Sequence, residues 1–139
     1  MSLVGKFHPL LVHFPIALVL AAASAELVAI WTRRASWRAV AVANLRAGAV
    51  MSGLTVIAGW VLATAPFVEA TPSLPLHRWT GVAAAVVTFG AAVASRQSDV
   101  QTGRSLVAYR TALFAAAALV AVAGHLGAAL VWGPDFLRR

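Results

Sequence analysis

Four long apolar runs separated by short clusters of Arg, Pro, Ser and Gly set the pattern of the chain. They fall at Pro9–Trp31, Ala43–Ala65, Trp79–Ala94 and Tyr109–Trp132. A hydrocarbon core about 30 Å thick is crossed by about 20 helical residues, so each run has spanning length. The third is the shortest, with Arg78 and Ser95 extending it into the headgroup layer. Strict apolar–polar alternation is absent, which removes the barrel as a spanning form and leaves helices. The pattern predicts an all-α, integral membrane, up-down-up-down four-helix bundle occupying residues 1–139 as one domain. No internal repeat is apparent, and the segment from Pro66 to His77, with Pro66, Pro72 and Pro75, reads as an extended, non-helical connection.

Composition agrees with lipid as the solvent. Of 139 residues, 61% are hydrophobic and 11% charged, where a soluble domain carries about a quarter charged residues. The net charge of +7 does not form a nucleic-acid-binding stripe, because the basic residues sit in gaps between apolar runs. They read as topology signals. Arg33, Arg34, Arg38, Arg46, Arg96, Arg104 and Arg110 mark one side, against Lys6, Arg78, Arg138 and Arg139 on the other. By the positive-inside rule the first side is cytoplasmic, so both termini and the 67–77 loop are expected at the exterior or periplasmic face. Ala23-Ser24-Ala25 resembles a signal-peptide cleavage site, but one basic residue ahead of the run and His8, Pro9, His13 and Pro15 at its start argue for a retained first span.

Candidate chemistry is confined to few residues. Cysteine is absent, which excludes disulfides, iron–sulfur ligation, covalent haem attachment and thiol catalysis. No nucleophile–base pair or carboxylate pair is visible, so an enzyme in its own right is the least favoured class. The four histidines, His8, His13, His77 and His125, all fall towards the same membrane face. Depth singles out His13 and His125 as an inner pair, about 6 Å past Pro9 and about 10 Å short of Trp132, with His8 and His77 at helix starts nearer water. His8 and His13 lie about 140° apart on a helix and cannot share one face. A b-type haem takes two axial imidazoles and small residues beside them, and Gly81, Gly124, Gly127 and Ala128 supply the latter. His13 and His125 are therefore the expected haem-iron ligands, His77 the reserve and His8 an outer neighbour. The same small residues equally serve plain helix packing, and the histidines equally serve as interfacial hydrogen-bonding groups. A zinc or copper site is weaker, since Glu69 and Asp135 are the nearby carboxylates, and a quinone pocket is a further alternative. Glu26, the acidic residue inside a span, is expected to pair with Arg46 at similar depth and lock spans one and two. Pro15, inside the first span, frees a backbone carbonyl that a neighbour such as an imidazole is expected to satisfy.

The run Phe7-His8-Pro9-Leu10-Leu11-Val12-His13-Phe14-Pro15-Ile16-Ala17-Leu18 resembles the opening of a bacterial family of small four-helix membrane proteins described only as a domain of unknown function. His77-Arg78-Trp79-Thr80-Gly81 and the stretch from Gly124 to Gly133 are similar to its third-helix start and its ending. The chain departs from some members at Trp132 and at Ala128, where a second glycine is common. The resemblance covers nearly the whole chain and carries His8, His13, His77 and His125 over by motif. It implies an electron-transfer setting, because such domains are often attached or adjacent to c-type cytochrome or Rieske-like modules. The expectation is a multi-pass protein of the bacterial inner membrane, a haem b-binding electron-transfer or anchoring subunit working with a separate membrane or periplasmic redox partner. The alternative is a cofactor-free accessory subunit packed against a larger membrane complex.

The topology has a direct test. A reporter active only in the periplasm, fused after Arg139, is expected to be active, and the same reporter placed in the 97–103 loop is expected to be silent. The opposite pattern reverses the sidedness.

Overall fold

In the computed structural model, which describes residues 3–66, 68, 71–97, 103–133 and 135–136, all regular structure is helical. Two short helices, α1 (Leu3–Lys6) and α2 (His8–Leu11), lead into α3 (His13–Thr32), followed by α4 (Ala35–Leu62), α5 (Ser73–Gln97) and α6 (Arg104–Trp132). Four stretches are long and apolar enough to cross a membrane: His8–Thr32, Ala35–Leu62, Ser73–Arg96 and Arg104–Trp132. The helices run beyond the apolar runs because the arginines and serines flanking each run are themselves helix-compatible. α5 starts at Ser73, not at Trp79, so the expected extended connection is helical over its last residues. Pro75 is tolerated there because the N–H groups of a first helical turn have no intrahelical partner to lose.

The chain goes up and down twice. Spans one and two form a hairpin turned at Arg33, whose φ of 56° is left-handed, and Arg34, which is extended. Spans three and four form a second hairpin, and helix packing is closest within each. The end of α3, the start of α4, the end of α5 and the start of α6 lie at one end of the bundle, here the hairpin-turn end; α1, α2, the end of α4, the start of α5 and the end of α6 lie at the other, here the terminal end.

Lipid tails are as apolar as Leu, so helices gain little by burying large side chains against each other and gain more by close backbone approach. The core is accordingly made largely of alanine, including Ala22, Ala23, Ala84, Ala91, Ala116 and Ala117, around Val19, Leu45, Leu113, Tyr109 and Val120. A Cβ at Gly48 would stand 2.9 Å from Val19 Cγ2, so glycine is what lets α3 and α4 touch there. Two stripes define the interior. On span one, Pro15, Val19, Ala22 and Glu26 are buried at steps of four, three and four, and the same stripe extended backwards reaches Val12 and His8. On α6, Tyr109, Leu113, Ala116 and Val120 are buried, and the stripe continues through Ala123 to Gly127. Leu20, Leu27, Ile57, Phe89 and Val122 point outwards and are exposed, as lipid-facing side chains are.

Glu26 is fully buried near the hairpin-turn end. Its Oε1 accepts from Arg110 Nε at 2.8 Å and Arg38 Nε at 3.4 Å, and its Oε2 accepts from the Tyr109 hydroxyl at 3.3 Å. One carboxylate thus gathers spans one, two and four. The expected Glu26–Arg46 pair is replaced by this arrangement: Arg46 donates to Ser95 Oγ at 3.4 Å and joins spans two and three. The reason is azimuth. Arg46 follows the fully buried Leu45 and is turned about 100° away from the seam that Glu26 faces. The buried hydroxyls of Ser52 and Thr88 are satisfied within their own helices, Ser52 by the Gly48 carbonyl at 2.8 Å and Thr88 by that of Ala84 at 2.6 Å.

Breaking a buried ion pair from one side leaves uncompensated charge and costs about 3–5 kcal/mol, towards the lower end here because both arginines are partly exposed. In a double-mutant cycle read by unfolding in detergent, Glu26→Gln and Arg110→Leu are expected to couple strongly. Glu26→Gln and Arg46→Leu are expected to be additive, and equal coupling in both cycles would overturn the assignment.

Candidate functional site

The terminal end is organised by a missing hydrogen-bond donor. Pro15 has no N–H for the Leu11 carbonyl, and the helix is interrupted at Val12 between α2 and α3, where the bond from Ile16 N to the Val12 carbonyl is stretched to 3.4 Å. The freed Leu11 carbonyl accepts a hydrogen bond from the Thr55 hydroxyl of α4 at 3.2 Å. The carbonyl is therefore re-satisfied across the span interface, by a hydroxyl and not by the imidazole expected. The imidazole of His8 instead donates from Nδ1 to the Thr55 carbonyl, 3.1 Å away. Span one is stitched to span two by reciprocal bonds through a single residue.

Spans three and four repeat part of the arrangement. His77 Nδ1 donates to the Ala123 carbonyl of α6 at 3.1 Å. Each acceptor precedes a glycine by four residues, Gly59 after Thr55 and Gly127 after Ala123. Each imidazole lies over that glycine: a Cβ would stand 2.8 Å from His8 Cε1 at Gly59 and 3.0 Å from His77 Cε1 at Gly127. The sequence separations between histidine and acceptor are 47 and 46 residues. The two hairpins thus carry matching histidine clasps, a correspondence that sequence comparison of the halves does not reveal because only these few positions share it.

The two clasps face one another. The His8 and His77 ring centroids are 6.4 Å apart, with ring planes at 75°. They line a cavity of about 830 Å³ between all four spans, within the range of small-molecule and cofactor sites. Its walls are mostly apolar and small, with Ile16, Ala84, Gly81 and Gly124 among them. No carboxylate lines it among the described residues. Arg78 stands at the wall with its guanidinium carbon 3.7 Å from the Trp60 ring centroid, and Trp79 packs edge-on to Trp60 at 5.8 Å.

His13 and His125, the pair that depth favoured, are not brought together. Both are exposed, since His13 lies off the buried stripe of span one and His125 off that of α6. His13 reaches the edge of the cavity, whereas His125 turns outwards to Phe136, with ring centroids 5.5 Å apart. Depth along the axis was readable from residue counting, but the direction each residue faces decides which rings meet. The overlooked signal is the spacing His8, Val12, Pro15, Val19, Ala22, Glu26, which puts His8 on the interior face with Glu26.

The model match spans residues 6–135 and is described as a predicted membrane protein, DUF2231. The chain belongs to the DUF2231 family. No curated protein and no solved structure matches it. Members of DUF2231 are recorded as predicted membrane proteins of unknown function, in keeping with four spanning helices here.

What the site can hold follows from its donors. Among the described residues no three His, Asp or Glu gather into a metal-binding group. A zinc or copper site needs three or four protein ligands, and Glu69, one of the carboxylates named for it, lies outside the described residues. A haem takes its equatorial nitrogens from the macrocycle and needs two protein groups only. With each Nδ1–H given to a carbonyl, the lone pair of each ring is on Nε2, the tautomer a metal-binding histidine adopts. His8 and His77, whose ring centroids stand 6.4 Å apart over glycines in an apolar cavity, are the residues that would hold a haem there.

Thr55 carries the stitch between spans one and two. Thr55→Val, which keeps the shape and removes the donor to Leu11, is expected to lower unfolding stability in detergent by about 1 kcal/mol, the scale of membrane interhelical hydrogen bonds. Thr55→Ser is expected to stay near wild type. Loss in Thr55→Ser with Thr55→Val near wild type would instead assign the effect to the methyl group's packing.

Proposed function

We propose that this DUF2231 member is a b-type haem-binding subunit of the bacterial inner membrane that carries electrons for, or anchors, a separate membrane or periplasmic redox partner. The observation that carries the reading is the opposed pair His8 and His77, each fixed by a backbone carbonyl and backed by glycine. These two residues take the axial role that the depth argument gave to His13 and His125. Bound haem supplies one-electron transfer; without cysteine it is held by ligation and packing alone.

The chain's own residues set the conditions. The Thr55 and Ala123 carbonyls orient the rings and raise their basicity as ligands. The small side chains of Gly81, Ala84, Gly124 and Ala128 in the wall would leave room for a flat ring. All four histidines belong to the terminal half of the bundle, so a second bis-histidine site at the hairpin-turn end has no ligands, and electrons exchange at one face only. With the arginine bias that face is exterior.

The competing reading, a cofactor-free accessory subunit, draws on the same bonds, because two histidine clasps by themselves tie spans one to two and three to four. A visible spectrum separates the two. Protein produced with ample haem is expected to show a Soret band and sharp reduced α and β bands. His8→Ala and His77→Ala are each expected to abolish them with the protein still in the membrane, while His13→Ala and His125→Ala retain them. A wild-type protein that neither carries haem nor takes it up on reconstitution is the accessory subunit, and loss of the spectrum in His13→Ala but not His8→Ala returns the ligand role to the deeper pair.

A further inference from the structure

We infer that the cavity selects an apolar ligand bearing a carboxylate, and that Arg78 is the residue that recognises the acid. The inference uses the same cavity as the haem reading but does not rest on iron ligation.

Arg78 is half-buried on the first turns of α5, one residue after His77, and lines the cavity. Its Nε is inaccessible to solvent and has no hydrogen-bond partner among the described residues. A guanidinium has five N–H donors in a planar fork that matches a carboxylate. A desolvated N–H left unmade is costly, more so on a charged group. The Trp60 face at 3.7 Å offsets part of the charge through its quadrupole but accepts no conventional hydrogen bond. Trp60, itself packed edge-on against Trp79, lies against the guanidinium. The fork is therefore pre-positioned at the cavity wall.

The rest of the lining decides the sign and the body of the ligand. Arg78 and three histidines contribute to it, and no Asp or Glu does among the described residues. The remaining wall comes from apolar and small side chains of all four spans. A cation facing an apolar chamber selects an amphiphile with its acid at the Arg78 wall and its body between the helices. Two sources offer that chemistry: the propionate arms of a haem, and a fatty acid drawn from the bilayer. The structural charges at the hairpin-turn end differ from this one, since Arg38 and Arg110 are both committed to Glu26.

The test compares acids with their esters on intact protein in a nonionic detergent. Haemin and its dimethyl ester are titrated by quenching of tryptophan fluorescence, and oleate and methyl oleate by calorimetry. A charge-assisted hydrogen bond of about 1.5–3 kcal/mol corresponds to roughly 10- to 100-fold in affinity, and the acid is expected to bind tighter than its ester by that factor. Arg78→Gln is expected to erase the preference by weakening the acid alone, and Arg78→Lys to restore part of it. Preference for haemin over its ester supports both the acid site and the haem reading. Preference for oleate over its ester in a protein that binds no haemin supports the acid site and removes the haem reading. Haemin binding that is indifferent both to esterification and to Arg78→Gln, with no preference for oleate over its ester, overturns the role of Arg78 and leaves the haem reading standing. The wild-type acid-to-ester ratio needs no variant, so an ester that binds as well as its acid in both series overturns the inference even if Arg78→Gln fails to fold.

Discussion

A backbone carbonyl inside an apolar slab has no water to turn to, and the terminal half of this bundle is arranged around one such group. Pro15 removes the donor to Leu11, the Thr55 hydroxyl replaces it, and the Thr55 carbonyl then receives His8. A helix defect in span one is thereby converted into a fixed contact with span two. Placement of His8 depends on that contact, and the separation of His8 from His77 depends on it in turn. In water the same proline would be a local matter of one lost bond; in lipid it dictates which helix must approach and which side chain must face it.

The two ends of the bundle are held by different chemistry. At the hairpin-turn end a fully buried carboxylate draws in two arginines and a tyrosine. At the terminal end neutral imidazoles bond to carbonyls over glycines, and the helices stand apart around a cavity. Charge closes one end and glycine opens the other. The alanine-rich interior between them lets four helices pack at short distance without large side chains to fill the gap. That combination gives a rigid base and a receptive mouth from one short chain.

Reading the sequence recovered the helical class, the number of spans and their approximate places, because each depends only on run length and on the cost of exposing backbone to lipid. Helix ends were less legible. α4 begins at Ala35 and α5 at Ser73, since Arg, Ser and an N-terminal proline continue a helix that hydropathy alone would stop. Partners were harder still. Glu26 was correctly marked as needing a cation, yet Arg110, eighty-four residues away, lies on a helix whose rotation no local pattern fixes. Residue counting weighs position along the helix axis and not the direction a side chain faces, which is why it favours His13 over His8. The stripe from His8 through Val19 to Glu26 was available in the sequence; the glycines beneath the two rings acquire meaning only once the hairpins are placed side by side.

The matched clasps have a bearing on how the two halves of the protein are joined. Each hairpin secures one histidine to its own partner helix, so neither half holds both rings. A ligand seated between His8 and His77 would be gripped by one arm from each half, and would thereby brace one hairpin against the other.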